Sequence, residues 1–228
     1  MVDSAGLKAL HMITGDPART PTFVMFADPD YYFQGQGPII QQYAGYAWNH
    51  GGVAPEINRT WVGMVGPGVK NVGEDDDTWS DHTDIRPTML LLAGLTDDYI
   101  SDGRVLAEDL APSALPSSLK SNPWLFELLA SAYKQITAPV GAFGQGTLHV
   151  STVALASGSD ADDSKYLKYE SRLTNLTAQR DALATQIKSV LDGAEFHGAA
   201  LDPGNAIRLS FQAATLLFEM EVFSSTAK

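Results

Sequence analysis

The composition of the chain changes near residue 110, and the two sides of this change favour different kinds of structure. Residues 1–110 are rich in glycine, proline, aspartate and aromatic residues, whereas residues 120–228 are rich in alanine, leucine, lysine, glutamine and glutamate. The first composition is typical of short strands and loops, and the second is typical of helices. Segment 111–123 contains three prolines and four serines, which predicts a linker.

Short apolar runs predict two strands in the first region. Residues 21–27 (PTFVMFA) and 60–65 (TWVGMV) are each followed by a turn signal that contains proline, as buried strands often are. A helix is then expected, with Asp84 as its N-cap, Pro87 in its first turn and Gly94 at its end. This order of strands, loops and helix predicts an α/β fold, in which the first region forms part of a sheet with flanking helices.

The second region shows the periodicity of long helices. Leucine, isoleucine and valine recur at helical spacing between residues 163 and 191. A further helix is expected to start at Asp202 and Pro203 and to run to about Val222. Because a glycine-containing turn joins them, the two helices are predicted to form an α-helical hairpin domain that spans residues 124–228. The apolar faces of this hairpin would pack together or mediate dimerisation.

The charge balance argues against some classes of partner. The chain has 27 acidic residues against 15 basic ones, a net charge of −12. This balance argues against a surface that binds nucleic acid, which needs a basic face, and against docking on an anionic membrane. Carboxylates are compatible with divalent cations. There is no cysteine, so disulfides, cysteine-based zinc sites and thiol nucleophiles are excluded.

The sequence predicts neither a membrane-spanning helix nor a signal peptide. No run of about 18 consecutive apolar residues occurs. Residues 1–16 lack the charged start, the long apolar run and the cleavage site of a secretory signal. The compartment of the protein is therefore left open.

Two of the five histidines lie beside features that suggest a binding site. His50 precedes two glycines, which let a backbone approach a ligand closely, and His82 lies between Asp81 and Asp84. Imidazole and carboxylate groups are common metal ligands, but the spacing does not decide between a metal site and ordinary polar packing. The sequence contains no G-x-S-x-G elbow, no phosphate-binding P-loop and no H-E-x-x-H motif.

Four motifs, in order along the chain, resemble the C-terminal part of the alkaline phosphatase superfamily. They are NHGG (49–52), TWVGMVGPGVK (60–70), DHTDIRPTMLLLAGL (81–95) and DGRVL (102–106). They look most like the branch of type I phosphodiesterases, nucleotide pyrophosphatases and sulfatase-like proteins. In that branch a D-H-G motif, a strand ending near G-P-G, a D-I-x-P-T helix and a D-G-R turn follow in the same order. The resemblance covers residues 1–110.

The resemblance implies a metal-dependent hydrolase of phosphoric esters. Such an enzyme holds two divalent ions, for example zinc, manganese or calcium, and acts on a small phosphate or sulfate ester. In the family the aspartate and histidine of D-H-G ligate one metal, and these positions match Asn49 and His50. A further histidine near the D-I-x-P-T helix serves the neighbouring metal, and His82 matches it. Related full-length proteins are expected to be secreted.

Two departures from the family pattern affect the implied site. Asn49 replaces a carboxylate and brings no negative charge to a metal. The family's threonine or serine nucleophile and its first aspartate ligand are not identified in this chain, so no catalytic residue is assigned. The chain is therefore expected to be the C-terminal portion of such a hydrolase and to contribute metal ligands to an incomplete site. The alternative is a non-catalytic structural or interaction module derived from that family.

Overall fold

The described part of this protein is built from helices. The structure, a computed structural model, describes residues 1–28, 31, 35, 37, 51–96, 98–159 and 162–228. Within these residues helices and 3₁₀ turns account for 58% of positions, and extended pairing is limited to isolated β-bridges. The α-helices are α1 (Ser4–Ala9), α2 (Pro55–Asn58), α3 (Ile85–Ala93), α4 (Ser117–Lys120), α5 (Pro123–Thr137), α6 (Ala142–Ser157), α7 (Ser164–Phe196) and α8 (Pro203–Thr226). The 3₁₀ turns are Pro17–Arg19, His82–Asp84 and Ala107–Asp109.

The predicted α/β fold is wrong for the described residues, because neither apolar run forms a strand of a sheet. Among the described residues, the run 21–27 pairs with another segment only at Val24, through two backbone hydrogen bonds to Val2 of 2.9 and 3.0 Å. In the run 60–65 no residue belongs to a ladder. An apolar run becomes a strand only where another strand pairs with it, and a short run in the sequence does not reveal whether such a neighbour exists.

Helices α5 to α8 pack on one another and form the centre of the protein. Helix α1 packs against α6 and α7, and α4 packs against α5 and α7. Their shared core consists of large apolar side chains, including Leu125, Phe126, Leu129, Ile136, Phe143, Val150, Leu173, Ile187, Leu191, Leu209 and Leu216. None of the helices in the described ranges is long and apolar enough to cross a membrane.

The two long helices predicted from the leucine periodicity are present. Helix α7 begins one residue after Asp163 and extends to Phe196, and α8 begins at Pro203. Asp202 caps α8, since its carboxylate accepts hydrogen bonds from the N–H groups of Gly204 and Asn205. Both helices also pack against α5 and α6, so the predicted hairpin is one half of a four-helix bundle.

The segment predicted as a linker, 111–123, contains α4 and packs on the bundle. Leu115 and Leu119 belong to the core. The Ser118 hydroxyl donates a hydrogen bond of 2.6 Å to the carbonyl oxygen of Ala194 on α7.

Residues 81–110 contain a 3₁₀ turn and helix α3, and they are attached to this bundle. Helix α3 begins at Ile85, directly after the 3₁₀ turn at 82–84, and Gly94 ends it in the left-handed conformation, with φ of 66°. This end agrees with the prediction. Residues 105–107 are buried, so the chain returns to the bundle soon after α3.

Candidate functional site

The structure describes one of the three predicted metal ligands. His82 is the first residue of a 3₁₀ turn, and its side chain is exposed. Asn49 and His50 lie outside the described residues. Among the residues that are described, no group of three or more histidine, aspartate and glutamate side chains is arranged to hold a metal ion. Because two of the three predicted ligands lie outside the described residues, the metal site stays a prediction.

The turn that carries His82 is fixed by two aspartates. The Asp81 carboxylate accepts a hydrogen bond of 2.8 Å from the Thr83 N–H, and the Asp84 carboxylate accepts one of 2.9 Å from the Asp81 N–H. This reciprocal arrangement is a capping box, which satisfies backbone donors at the start of a helix. The sequence predicted Asp84 as the capping residue, whereas Asp81 caps the turn and Asp84 is the third residue after it.

A buried lysine from α5 closes this turn against the bundle. Lys134 Nζ lies 2.8 Å from Asp81 Oδ2 and 3.1 Å from Asp84 Oδ1, and it donates to Thr83 Oγ1 at 3.0 Å. Lys134 and Asp84 are 1% and 0% exposed. The ammonium also lies 5.8 Å from the ring centroid of Trp79. Three acceptors match the three hydrogens of an ammonium group.

The lysine also keeps Asp81 ionised. Burial alone would raise the pKa of Asp81, but the charge and hydrogen bond of Lys134 and the two donors of Thr83 outweigh it, so the pKa lies below its ordinary value. Asp81 therefore carries a negative charge at neutral pH, and this charge is already paired.

Asp84 and Thr88 connect helix α3 to the D-G-R-V-L motif. Asp84 Oδ1 accepts a hydrogen bond of 2.9 Å from the Arg104 N–H. Thr88 Oγ1 donates to the Asp84 carbonyl oxygen at 2.7 Å and accepts from the Leu106 N–H at 3.0 Å. Buried backbone donors require such partners. Polar side chains of the motif at 81–95 therefore satisfy backbone N–H groups of the motif at 102–106.

Gly103 and Arg104 make the crossing of these segments possible. A Cβ atom at Gly103 would overlap the carbonyl oxygen of Thr83, so only glycine fits there. The Arg104 side chain, 1% exposed, donates to the carbonyl oxygen of Trp79 at 3.0 Å and forms an ion pair with Glu108. The buried guanidinium therefore has an acidic partner close to it in the sequence.

A further buried acid, Glu195 of α7, bonds to the chain directly after Arg104. Glu195 Oε1 accepts a hydrogen bond of 2.9 Å from the Val105 N–H, and the residue is 4% exposed. Its Oε2 is buried and has no hydrogen-bond partner in the described part of the chain. Burial disfavours the carboxylate and raises the pKa of Glu195 to about 7, although the Val105 bond and the charge of Lys188 act in the opposite direction.

A small cavity lies beside α3. Its volume is about 170 Å³, and Arg86, Tyr99, Lys188 and Asp192 are among the residues that line it. The Arg86 guanidinium lies 4.7 Å from the ring centroid of Tyr99, and Lys188 forms an ion pair with Asp192. These groups stabilise the walls of the cavity, because each is already held by a neighbour.

The residues Asp81, Thr83, Asp84, Arg104 and Lys134, which we call the Asp84 cluster, form a stabilising network. Each carboxylate in it receives backbone N–H groups or an ammonium, and each cation meets an acid. A buried charge that is fully paired has little capacity left for a metal ion or a substrate. The cluster therefore fixes the position of a turn.

Sequence reasoning missed Lys134 and Glu195. Lys134 bonds to Thr83, 51 positions away, and Glu195 bonds to Val105, 90 positions away. No local motif therefore contains both partners of either bond. A weak signal does exist, because each charged residue falls on an apolar helical face: Lys134 beside Ala130 and Tyr133, and Glu195 beside Leu191. A lone charge in an apolar stripe indicates a buried ion pair or hydrogen bond.

No family model, curated protein or solved structure matches this chain significantly. The resemblance to the alkaline phosphatase superfamily therefore depends on the four motifs alone. No comparison supports hydrolase or phosphodiesterase chemistry.

Proposed function

We propose that this chain is a non-catalytic interaction module, in which a helical bundle presents an extended apolar segment to a partner protein. The observation that carries this proposal is the exposure of residues 60–65. Trp61 is 88% exposed and Val65 is 101% exposed. Contiguous apolar side chains left in water mark surfaces that another molecule covers.

The backbone of this segment also offers hydrogen-bonding groups. The N–H groups of residues 61–65 make no hydrogen bond within the described residues. Trp61 and Val65 alternate with Val62 and Met64, so both faces would be apolar in a segment held as a strand. This pattern is typical of a strand that is covered on both faces.

The C-terminal end of the segment is fixed to the rest of the protein. The Lys70 N–H donates to the Asp109 carbonyl oxygen at 2.8 Å, and the Ala111 N–H donates to the Gly68 carbonyl oxygen at 2.8 Å. Lys70 Nζ also donates to the Glu108 carbonyl oxygen at 2.6 Å. Because Glu108 pairs with an arginine of the Asp84 cluster, these hydrogen bonds connect the residues that follow the segment to that cluster.

The expected partner is a protein with an open sheet edge. Such an edge offers the backbone donors and acceptors that the segment lacks, and strand addition uses these groups for affinity and the side chains for specificity. Covering each large apolar side chain contributes about 1.5–3 kcal/mol before the entropic costs of association.

Hydrogen exchange on the isolated chain tests the premise. The amides of residues 61–65 should exchange almost as fast as those of an unstructured peptide, whereas the amides of Lys70 and Ala111 should be protected by their hydrogen bonds. Strong protection of residues 61–65 in the isolated chain would contradict the proposal.

Photo-crosslinking in the source cells tests for the partner. A crosslinking amino acid at Trp61 should give a defined adduct, and Val65→Asp should abolish it. The matched control is the same amino acid at Ile100, which is 85% exposed and lies outside the segment. Equal labelling from both positions would show that exposure alone causes the adduct.

A second candidate function is the supply of metal ligands to a phosphoric ester hydrolase, and the position of His82 favours it. The imidazole is exposed, whereas its neighbours Asp81 and Asp84 are held by Lys134. A divalent ion could therefore bind His82 without disturbing the Asp84 cluster. Asn49 and His50 would supply the other ligands of the half-site.

Calorimetric titration of the metal-free chain with zinc and then manganese tests this second candidate. Binding should be lost in both His82→Ala and His50→Ala. The control is His149→Ala, since His149 is another exposed histidine without a predicted role. Binding that survives either substitution would exclude the proposed half-site.

A further inference from the structure

Helix α8 has two apolar faces, and the bundle covers only one of them. The covered face is buried and consists of Ala206, Leu209, Ala213, Leu216, Met220 and Phe223. The other face, which we call the outer stripe, consists of Ile207, Phe211, Ala214, Phe218 and Val222. Phe211 and Phe218 are 73% and 65% exposed, and Ile207 is 51% exposed.

The residue types of the outer stripe are arranged almost symmetrically about its centre. Ile207 and Val222 lie at equal distances from its centre near Ala214, and so do Phe211 and Phe218. At about 3.6 residues per turn these side chains fall within an arc of roughly 80°. A face that matches its own reverse can pair with itself across a two-fold axis.

We infer that the outer stripe binds the outer stripe of a second copy of this chain, as an antiparallel pair of α8 helices. Phe211 then lies against Phe218 of the second copy, and Ile207 lies against Val222. The small Ala214 lies at the crossing point and allows the helices to approach closely. This surface is separate from residues 60–65, so the inference does not depend on the proposed function.

Charges beside the stripe determine the direction of pairing. Arg208 and Glu219 lie on the same side of the stripe, near its opposite ends. In the antiparallel pair each Arg208 lies within about two residues, or ~3 Å along the axis, of Glu219 of the second copy. In a parallel pair the two copies of this side would lie on opposite sides of the contact, so Arg208 would not meet Glu219 of the second copy.

Arg208 is available for this contact. Its guanidinium donates to Asn205 Oδ1 at 2.7 Å and to Gln212 Oε1 at 2.9 Å, both on its own helix. It forms no ion pair with any residue that the structure describes. Its charge therefore has no acidic partner among the described residues, and Glu219 of a second copy supplies one.

The size of the stripe indicates a modest affinity. A fully covered phenylalanine buries about 150–250 Å², whereas a standard interface buries about 800 Å² on each partner. Two phenylalanines with two smaller side chains supply less than that area. We expect a dissociation constant on the order of micromolar.

Sedimentation equilibrium of the full chain, from roughly 1 to 100 µM, tests the pairing. The wild type should pass from monomer to dimer, and Phe211→Ser with Phe218→Ser should weaken the dimer by at least about tenfold. Trp124→Ser is the matched control, because Trp124 is 57% exposed and lies on α5. A wild-type monomer at every concentration overturns the inference.

Disulfide crosslinking tests the direction of the pair, since the chain has no cysteine of its own. Ala214→Cys should form a covalent dimer on oxidation, because this position meets itself near the two-fold axis. Ile207→Cys should not, because the two copies of this position lie at opposite ends of the stripe. Crosslinking of both variants would indicate a parallel pair and overturn the antiparallel one.

A charge exchange tests the predicted contact. Arg208→Glu should weaken the dimer, and combining it with Glu219→Arg should restore most of the affinity, since the opposite charges meet again. Failure of the double variant to recover would refute the register. Trp61→Ser should leave the dimer unchanged, and loss of the dimer in that variant would assign self-association to residues 60–65 instead.

Discussion

Replacement of Glu195 by glutamine should make the protein more stable at alkaline pH. Glu195 accepts the Val105 N–H through one oxygen, while its other oxygen is buried without a partner among the described residues. Glutamine keeps the accepting oxygen and removes the charge. The variant therefore isolates the cost of burying a carboxylate at this position.

The pKa of Glu195 gives the magnitude. Its rise from an ordinary value of 4.5 to about 7 corresponds to ~3 kcal/mol of preference for the neutral form in the folded state. Between these two values the folded protein holds a proton that the unfolded chain has released. The stability that this bound proton contributes is therefore fully present below pH 4.5 and is lost as the pH rises through 7. The free energy of unfolding of the wild type falls over this pH range.

Urea unfolding at several pH values between about 5 and 8 measures the effect. The free energies of unfolding of wild type and Glu195→Gln should be similar near pH 5, and the variant should be more stable by up to ~3 kcal/mol near pH 8. Burial also raises the pKa of Glu170 to about 7, but Glu170 is present in both proteins and cancels in the difference. Glu221→Gln, a change at an exposed residue, is the matched control.

Two results would refute this reasoning. An equal fall in stability for wild type and Glu195→Gln would show that Glu195 does not bind the proton. A variant less stable than wild type near pH 8 would show that the carboxylate stabilises the segment, for example through the nearby Lys188.

The Asp84 cluster gives two further predictions, both measured by urea unfolding. Lys134→Met should destabilise the protein by ~3–5 kcal/mol, because two carboxylates then lose their cation, and adding Asp84→Asn should recover part of the loss; no recovery would assign the effect to packing. Gly103→Ala should cost about 1–3 kcal/mol or more, because its Cβ would overlap a carbonyl oxygen. Gly146→Ala should cost less, because its Cβ would meet the side chain of Met220 at 2.6 Å, which can move; an equal loss would contradict the close approach at Gly103.

Helices α3, α7 and α8 were predicted from the sequence because their signals are local, whereas α5 and α6 were not predicted individually. Leu173, Leu183 and Ile187 recur on one face of α7 and are buried, as their spacing predicted. Asp202 caps α8 and Gly94 ends α3 in the left-handed conformation. Each of these features depends on residues within one or two turns of one another.

The predicted sheet was wrong because strand formation depends on neighbours distant in sequence. The runs 21–27 and 60–65 have the composition of strands, yet pairing in the first is limited to one bridge and the second is unpaired in the described structure. The same limit applies to the Asp84 cluster. The carboxylates at Asp81 and Asp84 were visible in the sequence, but Lys134 could not be assigned to them without the fold.

The fold also changes how the motifs that suggested a hydrolase are explained. Asp84, Thr88, Gly103 and Arg104 were noted for their place in family motifs, and all of them lie where two chain segments cross between α3 and the bundle. Each has a packing or hydrogen-bonding role that requires its own residue type. Lys134 supplies a positive charge to the two carboxylates of this turn. His82 is different, since its carbonyl oxygen accepts the Ile85 N–H but its side chain makes no hydrogen bond with the described residues. His82→Ala therefore tests the proposed metal role without loosening the turn.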